Sequence, residues 1–239
     1  MSAADEPARP LRRLAAWGVH LLTASSGPAG LLALLAVDRG DAATAFGWMA
    51  YTIAIDSVDG TLARAVGVKR VLPLIDGTRL DDVVDYVTYV IVPAYFMVRM
   101  GLLPPALAAP VACCPVVASA FGFARADAKT ADHFFTGFPS YWNVVAFYLY
   151  ALGWSPAVNA VIVVAFAVAV FVPVRYVYPS RTTTLRPLTV ALGLEWGATV
   201  LYVLAHLGTA PRTLVVASLA YPIYYGLLSL ILQMRRAAR

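Results

Sequence analysis

The chemistry open to this sequence is concentrated in eight residues: Asp56, Asp59, Gly60, Ala63 and Arg64, then a spacer of 12 residues, then Gly77, Asp81 and Asp85. On a helix, Asp56, Asp59, Gly60 and Ala63 fall at i, i+3, i+4 and i+7 and share one face. Asp81 and Asp85, at i and i+4, share a face on the next helix. Four ionised carboxylates cannot occupy one poorly hydrated pocket unpaired. Arg64 and Arg79 lie at the helix ends, so a hard divalent cation, Mg²⁺ or Mn²⁺, answers the charge better, and such an ion also binds phosphate. Gly60 and Ala63 leave room for a bulky group to approach the backbone. The competing reading is a set of ion pairs or a transporter's proton relay. Asp82 sits one step off the shared face and reads as an early-turn acid complementing a helix N-terminus.

The elements that position these residues follow from composition. The chain has 239 residues, 61% hydrophobic and only 13% charged, about half the charge of a soluble domain. Its mean hydropathy is +0.74, and the fitting solvent is lipid. Apolar segments run over 16–37, 42–64, 78–100, 105–124, 140–153, 156–178, 187–207 and 213–234. In hydrocarbon each must satisfy its own backbone, so helices are expected. The fold class expected is an all-α polytopic membrane bundle of about eight transmembrane helices, a single domain over 1–239. Residues 1–15 form a cytoplasmic or interfacial entry, and 42–100 supplies the helix pair carrying the acids. With the N-terminus cytoplasmic, all but Arg39, Arg99 and Arg212 of the 18 Lys and Arg fall on that side, which places both termini there. The acids then lie just beneath the inner interface.

Composition also excludes other classes. No basic stripe interleaved with aromatics marks a nucleic-acid surface, so no nucleic-acid partner is expected. Cys113 and Cys114 are adjacent in an apolar run and neither bridge nor bind metal. Arg9, Arg12 and Arg13 precede an apolar stretch without a cleavage site, which reads as a retained first helix.

The pattern Asp-x2-Asp-Gly-x2-Ala-Arg, a spacer, then Gly-x3-Asp-x3-Asp resembles the signature of the CDP-alcohol phosphatidyltransferase family at every defined position. Most of that family has a spacer of about eight or nine residues, while the longer one here resembles the bacterial phosphatidylcholine synthase subgroup. Val19-His20-Leu-Leu-Thr23-Ala-Ser25-Ser26-Gly27 and Phe135-Thr136-Gly137-Phe138-Pro139-Ser140-Tyr141-Trp142-Asn143 are similar to the same subgroup. The resemblance implies that Asp56, Asp59, Asp81 and Asp85 hold Mn²⁺ or Mg²⁺, with two ions, and that Asp85 is the general base. It implies that Gly60, Ala63, Arg64 and Gly77 line the CDP part of CDP-diacylglycerol, and that choline is the acceptor. It also implies a homodimer in a bacterial inner membrane with its active site on the cytoplasmic side. Alternatives are the same class with serine, glycerol phosphate or inositol phosphate as acceptor, or a cation-coupled transporter. The latter predicts inverted repeats, and the acids instead cluster in one third of the chain.

A choline acceptor calls for aromatic faces near a carboxylate. Tyr86 and Tyr89 beside the acids, Tyr141 and Trp142, and Glu195 within the seventh apolar segment are the candidates. The plainer reading of Tyr141 and Trp142 is an interfacial aromatic pair, and of Asn143 a polar helix-end residue. His20 and His206 read as packing residues; Arg125, Lys129 and His133 read as a solvated loop.

Overall fold

The computed structural model describes residues 10–128, 130, 132, 134–179 and 181–237. Lys129 and His133, and the first nine residues of the expected entry segment, lie outside the described residues.

The chain begins with α1 (Pro10–Ala24) and α2 (Ser26–Asp38), nearly continuous through Ser25. Pro28 cannot donate to the preceding turn, and the Ser25 hydroxyl donates to the Leu22 carbonyl at 2.6 Å, so the helical ladder is interrupted at this joint. Helix α3 (Ala42–Val66) is capped by Asp41, which accepts from the Thr44 N–H, and ends at Gly67 in the left-handed region. Its 25 residues span about 37 Å, enough to cross a hydrocarbon core. A single-turn helix α4 (Val68–Val71) leads to α5 (Gly77–Asp85), which continues through a widened π-type turn (Tyr86–Ile91) into α6 (Val92–Arg99).

Helix α7 (Ala108–Ala124) follows a short 3₁₀ turn (Pro105–Leu107), and α8 (Trp142–Leu152) and α9 (Pro156–Phe171) come next. Then come α10 (Arg186–Ala205), α11 (Arg212–Ser218) and α12 (Ala220–Ala237). The core lies between α2, α3, α6 and α8, where Phe46, Phe96, Phe147 and Tyr150 pack edge to face or tilted. Outside it, Leu11, Leu14, Leu31, Val161, Val168, Leu194 and Leu201 stand exposed. An apolar exterior of this extent belongs against lipid.

The all-α membrane bundle is therefore present, with differences in its spans. Among the described residues four stretches are long and apolar enough to cross a membrane: Pro10–Asp38, Pro105–Ala124, Arg186–Ala205 and Arg212–Arg235. Helices α8 and α9 are apolar but shorter. Helix α3 and the helix from Gly77 to Arg99 have the length but carry the carboxylates. The expected segment 156–178 is helical only to Phe171. Pro173 cannot continue the helix, and the alternating Val and Tyr beyond it form β2 (Arg175–Val177), antiparallel to β1 (Phe134–Thr136). Neither strand was expected.

Gly137 closes this two-stranded unit onto α9. Its φ is +81°, and a Cβ there would stand 2.1 Å from the Val170 carbonyl oxygen. Gly137→Ala is expected to destabilise the protein by about 2 kcal/mol or more, read as a lower melting temperature in detergent. A variant melting with the wild type would refute this packing.

Candidate metal centre and active site

Helix α5 starts where Asp76 accepts hydrogen bonds from the Thr78 and Arg79 N–H groups. From that cap, Asp81 and Asp85 rise on one face toward α3. One carboxylate oxygen from each of Asp56, Asp81 and Asp85 lies within 4.8 Å of the others, all three residues half-buried. At that spacing each ionised pair repels by about 3 kcal/mol for an effective dielectric near 20. An all-oxygen donor set drawn from two helices fits a hard divalent cation.

Asp59 lies outside this trio. It is buried, and its Oδ2 accepts from the Thr23 hydroxyl at 2.6 Å. Thr23 belongs to the buried face of α1 with Ala16, Val19 and His20, and α1 packs against α3, α4 and α5. The expected helix pair is thus completed by a third helix. His20, read from sequence as packing, is buried with no hydrogen-bond partner for Nε2 among the described residues, and its Cε1 would lie 3.2 Å from a Cβ on Gly77. Arg64 is exposed, donates to the Thr61 hydroxyl, and folds its guanidinium over Gly60, with Nη1 3.3 Å from where a Cβ would be. Ala63 is half-buried one turn away.

The π-type turn decides which tyrosine reaches the acids. Pro93 has no N–H and crowds the carbonyl of Tyr89, four residues earlier; the Val92 N–H donates instead to the Val87 carbonyl, five residues back. The buried Thr88 hydroxyl also bonds back to the Val84 carbonyl. Tyr89 donates to Asp56 Oδ2 at 2.9 Å. Tyr86 turns away and donates to the Val116 carbonyl of α7.

The other acceptor candidates separate. Tyr141 packs beside Tyr89, with ring centroids 6.4 Å apart. Trp142 is fully buried and donates to the Ser119 hydroxyl at 2.8 Å. Glu195 is exposed on α10 and accepts from Thr199, one turn on. Asn143 is buried, its Oδ1 accepting from the Val144 N–H. In the loop after α7, Arg125 forms a bidentate pair with Asp127 and holds that carboxyl below its ordinary pKa. The sequence named Thr23 only as part of the segment resembling the subgroup and gave it no role at the site, and Tyr225 and Tyr176 carried no signal at all.

No protein-family model matches the chain. Individual relatives do. A phosphatidylcholine synthase of Legionella pneumophila is 49% identical over 168 residues, covering 70% of this chain and 66% of its own length. One of Bradyrhizobium diazoefficiens is 43% identical over 82% of this chain and 73% of its own. One of Rhizobium meliloti is 34% identical over 94% of this chain and 93% of its own. The chain belongs to the phosphatidylcholine synthase family. The Rhizobium match covers nearly the whole bundle and so includes the three carboxylates and the helices that carry them.

If the three acids repel as their spacing requires, Asp81→Asn in EDTA will melt no lower than the wild type. It will also gain less from added Mn²⁺. Scanning fluorimetry with and without Mn²⁺ checks both; equal Mn²⁺ shifts would remove Asp81 from the ion site.

Proposed function

We propose that this chain catalyses the phosphatidylcholine synthase reaction, transferring the phosphatidyl group of CDP-diacylglycerol to choline and releasing CMP. The observation that carries the reading is the convergence of Asp56, Asp81 and Asp85 from two helices, in a chain whose relatives bear that enzyme's name. These residues would hold Mn²⁺ or Mg²⁺, with Asp59 as a fourth carboxylate oriented by Thr23 and two ions in all. Bound there, the ions would offset the pyrophosphate's negative charge and favour departure of CMP.

The chain's own groups supply the rest. Gly60, Ala63 and Gly77, the last with His20 packed against it, would line the nucleotide part of the site, and the Arg64 guanidinium that folds over Gly60 would serve a phosphate. Asp85 accepts the proton of the choline hydroxyl. The oxygen forms a bond to the lipid-side phosphorus as the bond from that phosphorus to CMP breaks. The diacylglycerol tails remain in lipid against the apolar exterior while the nucleotide leaves to water, which suits a site on the cytoplasmic side of a bacterial inner membrane. The proposal includes a homodimer, checked by crosslinking in membranes.

Purified protein with CDP-diacylglycerol and Mn²⁺, offered choline, serine or glycerol 3-phosphate separately, is expected to form phosphatidylcholine. Product from serine in place of choline would overturn the acceptor. Asp85→Asn is expected to lose turnover by about a hundredfold or more while still binding CDP-diacylglycerol. Wild-type turnover in that variant would refute the base assignment.

A further inference from the structure

We propose that Tyr89, Tyr141 and Tyr225 form the seat for the acceptor's quaternary ammonium, an inference that rests on the choline reading above. Three separate parts of the chain bring these rings together: the π-type turn, the residue before α8, and α12. Tyr89 and Tyr141 have ring centroids 6.4 Å apart at 48°, and Tyr141 and Tyr225 6.3 Å apart at 58°. Tyr225 is in turn stacked on Tyr176 of β2, at 6.0 Å and 22°. The first two contacts are tilted, so those ring faces are not spent on one another, while Tyr176 backs Tyr225 and fixes its plane.

The column ends on the acids, because the Tyr89 hydroxyl bonds to Asp56. A position beside Tyr89 and Tyr141 is therefore about one ring length from the carboxylates. Choline separates its nitrogen from its hydroxyl by two carbons, so an ammonium on the rings brings the hydroxyl to the acids. Ring faces carry negative potential and hold a methylated cation without hydrogen bonds. The buried Tyr225 hydroxyl faces the Tyr141 hydroxyl, which ties these two rings to one another. Of the other acceptor candidates, Tyr86 and Trp142 spend their polar groups on Val116 and Ser119.

The test uses the purified full-length protein with CDP-diacylglycerol and Mn²⁺. Tyr89 is left unchanged, since its hydroxyl also bears on Asp56. Tyr141→Leu and Tyr225→Leu are each expected to raise the choline KM by about tenfold or more, while the Phe variants stay within about threefold of the wild type. The KM for CDP-diacylglycerol should hold in all four. Tetramethylammonium, which has no hydroxyl to react, is expected to inhibit competitively against choline and to weaken in parallel in the Leu variants. Should Tyr141→Leu fail to fold, as judged by melting, Tyr225→Leu on α12 carries the same expectation. Leu variants with wild-type choline KM and tetramethylammonium inhibition would overturn the seat while leaving the reaction intact. Phe variants as impaired as Leu would also overturn it, by assigning the effect to the hydroxyls. A wild-type protein that makes no phosphatidylcholine from choline would overturn the functional reading, and the seat with it.

Discussion

Three carboxylates held within 4.8 Å of one another, in a chain otherwise built for hydrocarbon, set the terms for everything around them. Left to themselves, helices α3 and α5 would separate to relieve the repulsion. What opposes separation is apolar packing on either side. The interface of α2 with α3 and the aromatic cluster of Phe46, Phe96 and Phe147 anchor the far halves of the acid-bearing helices. Near the acids, α1 bridges both helices, bonding Asp59 through Thr23 and packing His20 against Gly77. The strain is tolerable because a divalent cation would convert mutual repulsion into shared attraction, so the same geometry that costs stability when empty creates affinity for the ion.

The π-type turn joins this charged centre to the aromatic column. In an undistorted helix Tyr86 and Tyr89 would sit near the acids by spacing alone. The turn at Pro93 reassigns them, sending one hydroxyl to α7 and the other to Asp56. Widened turns of this kind recur at functional sites because they re-aim a side chain without ending the helix. Here the re-aimed side chain links the charge-bearing helix to α8 and α12.

How much of this was legible in the sequence follows the range of each interaction. The acids were legible because helical periodicity is local: Asp56 with Asp59, and Asp81 with Asp85, share faces whatever surrounds them. That Asp56 rather than Asp59 joins the α5 pair was not, since both lie on the same stripe and α1 decides between them by offering Thr23. Hydropathy located the apolar segments but ran 156–178 together, because Val172, Val174 and Val177 carry the apolar run past the helix; Pro173 marks the break locally, while the pairing with β1 depends on a partner some forty residues away. Tyr225 was invisible for the same reason. A tyrosine within an apolar helix is commonplace, and its place beside Tyr141 exists only once α12 is packed.

The length of the spacer between the two halves of the acid signature has a structural reason. Closing the gap between α3 and α5 takes only a short turn, and a spacer of twelve residues is longer than that requires. The surplus folds as α4, whose Val68, with Leu72 just beyond it, is buried against Ala16 and Val19 of α1. This small apolar cluster lies apart from the main core, at the end of the bundle where the nucleotide would enter. It holds α1 at the depth where Thr23 meets Asp59 and His20 meets Gly77. Shortening the linker would therefore remove the support of the third wall of the site while still allowing the acids to approach. The spacer acts as a structural element, and its length belongs to the construction of the site as much as the spacing of the carboxylates does.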